Sequence, residues 1–162
     1  MGEMGEKELI WSGACMWDNR NAFDFRVTND TDVGPLLTFI VQHDSDDDGL
    51  RGIGVILNET YEQQAETPVI NDLWEFNIHE YDVLPGGHSA LVCAYRSEWM
   101  ELSPIGMPGQ SGYVLTGGIE ELDVFTGEIL YEWRGVDHIP IWHSVLDIPP
   151  TPLTEPLGWD YM

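Results

Sequence analysis

The stretch that decides the fold runs from Ile119 to Gly135, IEELDVFTGEILYEWRG. Two runs rich in β-branched and aromatic residues flank Thr126-Gly127, and a glycine beside a small polar residue between such runs is hairpin chemistry. Asp123 stands where a carboxylate can cap the turn by accepting backbone N–H groups. The same texture recurs along the chain. Residues 22–27 (AFDFRV), 36–42 (LLTFIVQ), 53–57 (IGVIL) and 90–95 (ALVCAY) each have strand length, and each is followed by turn residues. Phe23, Phe25 and Val27 alternate with Ala22, Asp24 and Arg26, and His79, Tyr81 and Val83 alternate with Glu80, Asp82 and Leu84. That is the two-residue period of a strand. No window of twelve or more residues carries an apolar stripe at helical spacing, and the connections are too short for the crossovers that parallel strands need. The expectation is an all-β chain of antiparallel sheets.

KELIWSG near the start and ILYEWRG later on both finish Trp-x-Gly after an apolar pair. Echoes of this kind point to repeated sheets, and radial repetition of four-stranded sheets is the propeller's way of protecting strand edges. Blades take roughly 40 to 50 residues each and a closed ring needs at least about four. A chain of 162 residues therefore predicts an incomplete β-propeller of about two to three blades, read as a single partial domain over 1–162. Open edges in such a piece favour pairing with another chain, so self-association through them is expected. Residues 104–114 (PIGMPGQSGYV) and 148–162 are dense in Pro and Gly and read as loops, the second as an extended connector.

Charge narrows the function. Six basic residues against 29 acidic ones leave a net charge of −23, which repels phosphate backbones and anionic membrane surfaces. Nucleic acid is not an expected partner. No run approaches the ~18 consecutive apolar residues of a membrane-spanning helix, so no membrane insertion is expected. The opening MGEMGEKELIWSG lacks the basic and apolar regions of a signal peptide, while Asn29-Asp30-Thr31 and Asn58-Glu59-Thr60 are N-glycosylation triplets that lean towards secretion. The compartment stays open. Cys15 and Cys93 fit one disulfide or two buried thiols. Neither a Gly-rich phosphate loop nor a G-x-S-x-G nucleophile turn occurs.

A longer pattern is carried by Gly52-x-x-x-Ile56-Leu57-Asn58, Tyr61, and His79-Glu80-Tyr81 ahead of Pro85-Gly86-Gly87. It continues through Gly112-Tyr113, Glu120-Glu121, Asp123-x-x-Thr126-Gly127-Glu128, Glu132-Trp133-Arg134 and Asp137-His138-Ile139-Pro140. In order and spacing, from about Glu8 to Tyr161, the chain resembles the fungal branch of the arylsulfotransferase-like proteins. The resemblance implies a propeller, six-bladed in the family, and nucleotide-independent transfer of a sulfuryl group between phenols. A phenol or aryl sulfate would be the small-molecule partner, with no cofactor. It also implies that His79 lines the central channel. Two details depart from the pattern: Tyr81 stands where the family usually has Phe, and one extra residue lies around His88. In the family a Trp-Asp-Tyr motif runs into a His-x-Asn segment that carries the sulfated histidine, whereas here Trp159-Asp160-Tyr161 is followed by Met162. The chain as given is expected to be inactive alone.

Sulfuryl transfer of this type needs a nucleophilic imidazole, cationic or N–H donors for the sulfuryl oxygens, and a base for the phenol proton. His79 is the catalytic candidate, and His138, in DHIPIWH with His143, is a weaker one. His43 and His88 lie in acidic or Gly-rich loops, and the five histidines show no zinc spacing. The metal candidate is calcium at DSDDDG, where Asp44, Asp46 and Asp48 supply hard oxygen ligands and Gly49 the bend. Val55 holds the loop's twelfth position in place of a bidentate Glu. An acidic hairpin tip is the plainer reading of that segment. The alternative to an enzyme is a non-catalytic binding or structural β-module.

Overall fold

The computed structural model describes residues 11–13, 15–18, 20–29, 31–42, 51–67, 76–148, 153–154 and 159. Two antiparallel sheets account for the strands among them. The first contains β1 (Ala22–Thr28), β2 (Leu36–Gln42), β3 (Arg51–Leu57), β4 (Gln63–Glu66) and β5 (Phe76–Asn77), with β1-β2-β3-β4 neighbours in chain order. β5 also pairs with β3, at Arg51 and Gly52, while β4 takes Val55 to Leu57. Because β2 occupies one edge of β3 over Gly52 to Leu57, β4 and β5 share the other. Thr67 N donates to Gly54 O at 2.9 Å and carries β4 on towards β5. The two short strands are thus two pieces of one outer strand position.

The second sheet is β6 (Tyr81–Val83), β7 (Ser89–Glu101), β8 (Ser111–Asp123) and β9 (Ile129–Arg134), again in chain order. Its spine is the β7–β8 ladder, in register from Ser89↔Asp123 to Glu101↔Ser111. The β8–β9 hairpin forms as its chemistry dictates. Asp123 Oδ1 accepts from Phe125 N at 2.9 Å and Thr126 N at 2.8 Å, and Gly127 takes φ +69°. Those N–H donors hold the Asp123 carboxyl below the usual carboxylate range.

The all-β reading holds: no α-helix occurs among the described residues, and three single-turn 3₁₀ segments follow β7 and β9. No helix among them is long and apolar enough to cross a membrane. Two boundaries differ from expectation. Ser111 to Val114 belong to β8, not to the preceding loop, because the long β7 offers them a paired register. His79 lies in the turn ahead of β6, not in the strand.

The sheets stack face to face around one core. Leu36, Ile40, Ile56 and Ala65 of the first meet Tyr81, Val83, Ala90, Val92 and Leu122 of the second. Tyr81 is fully buried, and its ring occupies the space over Gly54, where a Cβ would lie 2.4 Å from it. The Tyr81 hydroxyl donates to Thr67 Oγ1 at 2.6 Å, which in turn donates to Val124 O at 3.0 Å. Burial pushes the phenol up to about 12. On the outer face of the first sheet, Phe39, Val41, Val55 and Leu57 are roofed by Trp17, with Trp11 and Tyr61 against them. At the far end of the second sheet, Leu102, Ile105, Val114 and Ile141 enclose Leu153 and Trp159. Carbonyls of the last two accept from Tyr113 N at 2.8 Å and Leu115 N at 2.7 Å, on the edge of β8 beyond β9.

Candidate functional site

The first strands of the two sheets meet along a polar seam, and Asp24 makes it. The β1–β2 register shifts between Phe23 and Arg26, and Asp24 inside that bulge takes φ +51°. Aspartate is one of the few side-chain-bearing residues that tolerate left-handed backbone. The reversal aims its carboxylate at the neighbouring sheet: Oδ2 accepts from Tyr81 N at 2.7 Å, while Oδ1 accepts from Arg26 Nε at 2.8 Å. Arg26 then reaches across, with Nη2 2.5 Å from Glu80 Oε1 and Nη1 3.1 Å from Asp82 Oδ1. Three carboxylates surround one guanidinium. The Asp24 hydrogen bond, with the charges of Asp24 and Glu80, raises the Arg26 pKa above its already high value. The arginine side chain remains one-third exposed, at 33%, so solvent screens the pairs and the net contribution to stability is modest.

His79 borders this seam through Glu80. It is exposed, its backbone N donates to Asn77 Oδ1 at 3.1 Å, and its ring Nδ1 rests against the same oxygen. An Nδ1–H donating there leaves the Nε2 lone pair facing outward. Asn77 is buried, and its Nδ2 finds no acceptor among the described residues. Cys93 lies close enough for Glu80 and Asp24 to act on it, yet burial is the larger influence and all three push its thiol pKa up. Cys15 is exposed and both cysteines are free thiols, so neither the disulfide nor the pair of buried thiols describes them.

The other candidates are dispersed. His138 follows β9, exposed, its ring stacked on Trp133 at 5.2 Å and 3°. Among the described residues no contact joins it to His79. His143 and His88 are exposed, the latter 3.5 Å from Asp32. Asp44, Asp46, Asp48 and His43 lie outside the described residues, and among those described no group of three His, Cys, Asp or Glu is placed to hold a metal.

A second polar cluster escapes motif reading. On the face of the second sheet that carries Val92 at one end and Met100 at the other, Arg96 meets Glu120 at 2.5 Å and also Glu132. Arg134 meets Glu98 at 2.5 Å, and Thr116 Oγ1 lies 3.1 Å from both Arg96 O and Glu98 Oε1. Glu120 is nearly buried, with 9% of its side chain exposed. Glu98 raises the Arg134 pKa by hydrogen bond and charge. The adjoining space of about 10 Å³ holds about one water. This cluster is cross-strand pairing inside the fold, not a ligand cleft. Comparison with family models, curated proteins and solved structures finds no match.

Proposed function

We propose that the chain supplies two blades of an arylsulfotransferase-like β-propeller and transfers no sulfuryl group by itself. The observation that carries this reading is the state of Arg26. Sulfuryl transfer through an imidazole needs donors free to gather the charge of the sulfuryl oxygens. Beside His79 the guanidinium is already occupied by Asp24, Glu80 and Asp82, and an incoming sulfate ester would meet net negative charge. The propeller half of the reading is supported by the connectivity. Both sheets are four-position antiparallel meanders, and the chain passes from β5, in the outer position of one, to β6, the first strand of the next, through residues 78–80. Radial repetition advances in that way.

The test is turnover. The purified protein mixed with 4-nitrophenyl sulfate and excess phenol is expected to release 4-nitrophenol no faster than buffer. Sustained release above the blank that is lost in His79→Gln would overturn the reading.

A further inference from the structure

Trp11 and Trp17 lie over the outer face of the first sheet, and Gly13 lets the two tryptophans converge. A Cβ on Gly13 would lie 2.5 Å from the Trp11 ring and 3.0 Å from the Trp17 ring. Trp11 is held from behind by Tyr61, stacked at 5.1 Å and 10°. Trp17 meets Phe39 edge-on at 5.1 Å and 84°, and Phe25 stacks on Phe39 at 4.7 Å and 19°. Between these rings lies a cavity of about 120 Å³ whose lining includes Trp11, Trp17, Phe25, Phe39, Val41 and Arg20. An apolar cavity of about 150 Å³ accepts a benzene molecule. The space is close to that size, which suits a single six-membered ring.

Arg20 gives the cavity its polarity. Its Nε donates to Trp17 O at 3.2 Å, which anchors the guanidinium against the cavity wall. Its Nη groups have no hydrogen-bond or ion-pair partner among the described residues. In a chain with 29 acidic residues and six basic ones, a guanidinium with no carboxylate among the described residues is an exception. Arg26, Arg96 and Arg134 are each held by carboxylates. The planar fork of an arginine suits a carboxylate or a similar oxyanion, and the faces and edges of the surrounding rings suit an aromatic body.

We propose that this cavity binds a small one-ring aromatic anion, the ring between Trp11, Trp17 and Phe25 and the anionic group on the Arg20 Nη atoms. The site is separate from the Arg26 seam, and its occupation does not depend on whether the chain transfers sulfuryl groups.

Benzoate is the probe, titrated into the full chain by calorimetry and by saturation-transfer NMR. Saturable binding is expected, at least tenfold tighter than that of the neutral benzyl alcohol. Arg20→Gln should weaken benzoate at least tenfold while leaving benzyl alcohol unchanged, and Phe25→Ala should weaken both. Arg20 and the half-exposed Phe25 lie outside the shared core, so both variants are expected to keep the parent's far-ultraviolet dichroism. Two-ring 2-naphthoate should not compete. The proposal is overturned by an absence of saturation at 10 mM benzoate, by equal benzoate affinity in Arg20→Gln, or by 2-naphthoate displacing benzoate.

Discussion

The two sheets share a strand order but not a degree of cover. The first has both faces occupied, one by the second sheet and the other by Trp11 and Trp17. The second packs one face on the first sheet and on the cluster around Leu102 and Trp159, yet its other face leaves Trp99, Ile119 and Tyr131 exposed at 59%, 45% and 54%. Residues alternate through a strand, so a face of this composition, opposite one that is already buried, has the character of an interior surface. The first sheet is roofed by its own chain. Among the described residues nothing roofs that face of the second, and stability should be concentrated where the two sheets meet.

The largest loss should follow from emptying that junction. Tyr81→Ala removes the ring packed on Gly54 and is expected to cost about 3 to 5 kcal/mol, as aromatic truncations in cores do, measured by the urea midpoint. A cost under ~1 kcal/mol would mean that the sheets do not depend on each other. The same residue sets an alkaline limit. The folded phenol titrates at about 12 against an ordinary value of 10.0, so the neutral form is favoured by folding. Its contribution is full below pH ~10 and is lost as pH rises through 12, worth about 2 to 3 kcal/mol. Tyr81→Phe should flatten that fall, whereas an unchanged alkaline profile would show that the phenol is not buried in solution.

Asp24→Ala comes next. It strips an acceptor from Tyr81 N and one carboxylate from Arg26, and about 1 to 3 kcal/mol is expected by chemical denaturation. Asp24→Asn should recover part of the loss by keeping an oxygen acceptor for one of the two donors. Equal losses in the two variants would place the cost in the carboxylate's charge on Arg26, because asparagine keeps both an oxygen acceptor and the tolerance of left-handed backbone. The smallest effect belongs to the open face. Ile119→Lys should change unfolding stability by no more than about 0.5 kcal/mol and should reduce any concentration-dependent mass seen by light scattering. A loss comparable to that of Tyr81→Ala would show that the face is covered, erasing the contrast between the sheets.

Much of the architecture was legible because strand alternation is a local property. AFDFRV, LLTFIVQ, IGVIL and ALVCAY all fall in strands, and the Thr126-Gly127 turn needed nothing beyond its own residues. What failed was phase at an end. Alternation through His79, Tyr81 and Val83 suggested one strand, but Asn77 bonds the His79 amide through its side chain and draws that residue into a turn. The seam was illegible for a different reason. Capture of Arg26 by Glu80 and Asp82 depends on a bulge at Asp24 and on the stacking of two sheets, and neither has a signature over a few residues. Arg96 and Arg134 likewise find their partners through a register that puts Glu120 opposite Glu132. The cavity beside Arg20 needed the whole outer face to be in place.

The hydrogen-bond chain Tyr81–Thr67–Val124 has a dynamic consequence. It joins the end of β4, the start of β6 and the hairpin after β8 through one hydroxyl pair closed off from solvent. Opening the hairpin and peeling the outer strand of the first sheet both break the Thr67–Val124 bond, so neither motion is independent of the other. In amide hydrogen exchange the N–H groups of Thr67 and Val124 should respond together to denaturant, as members of one cooperative unit.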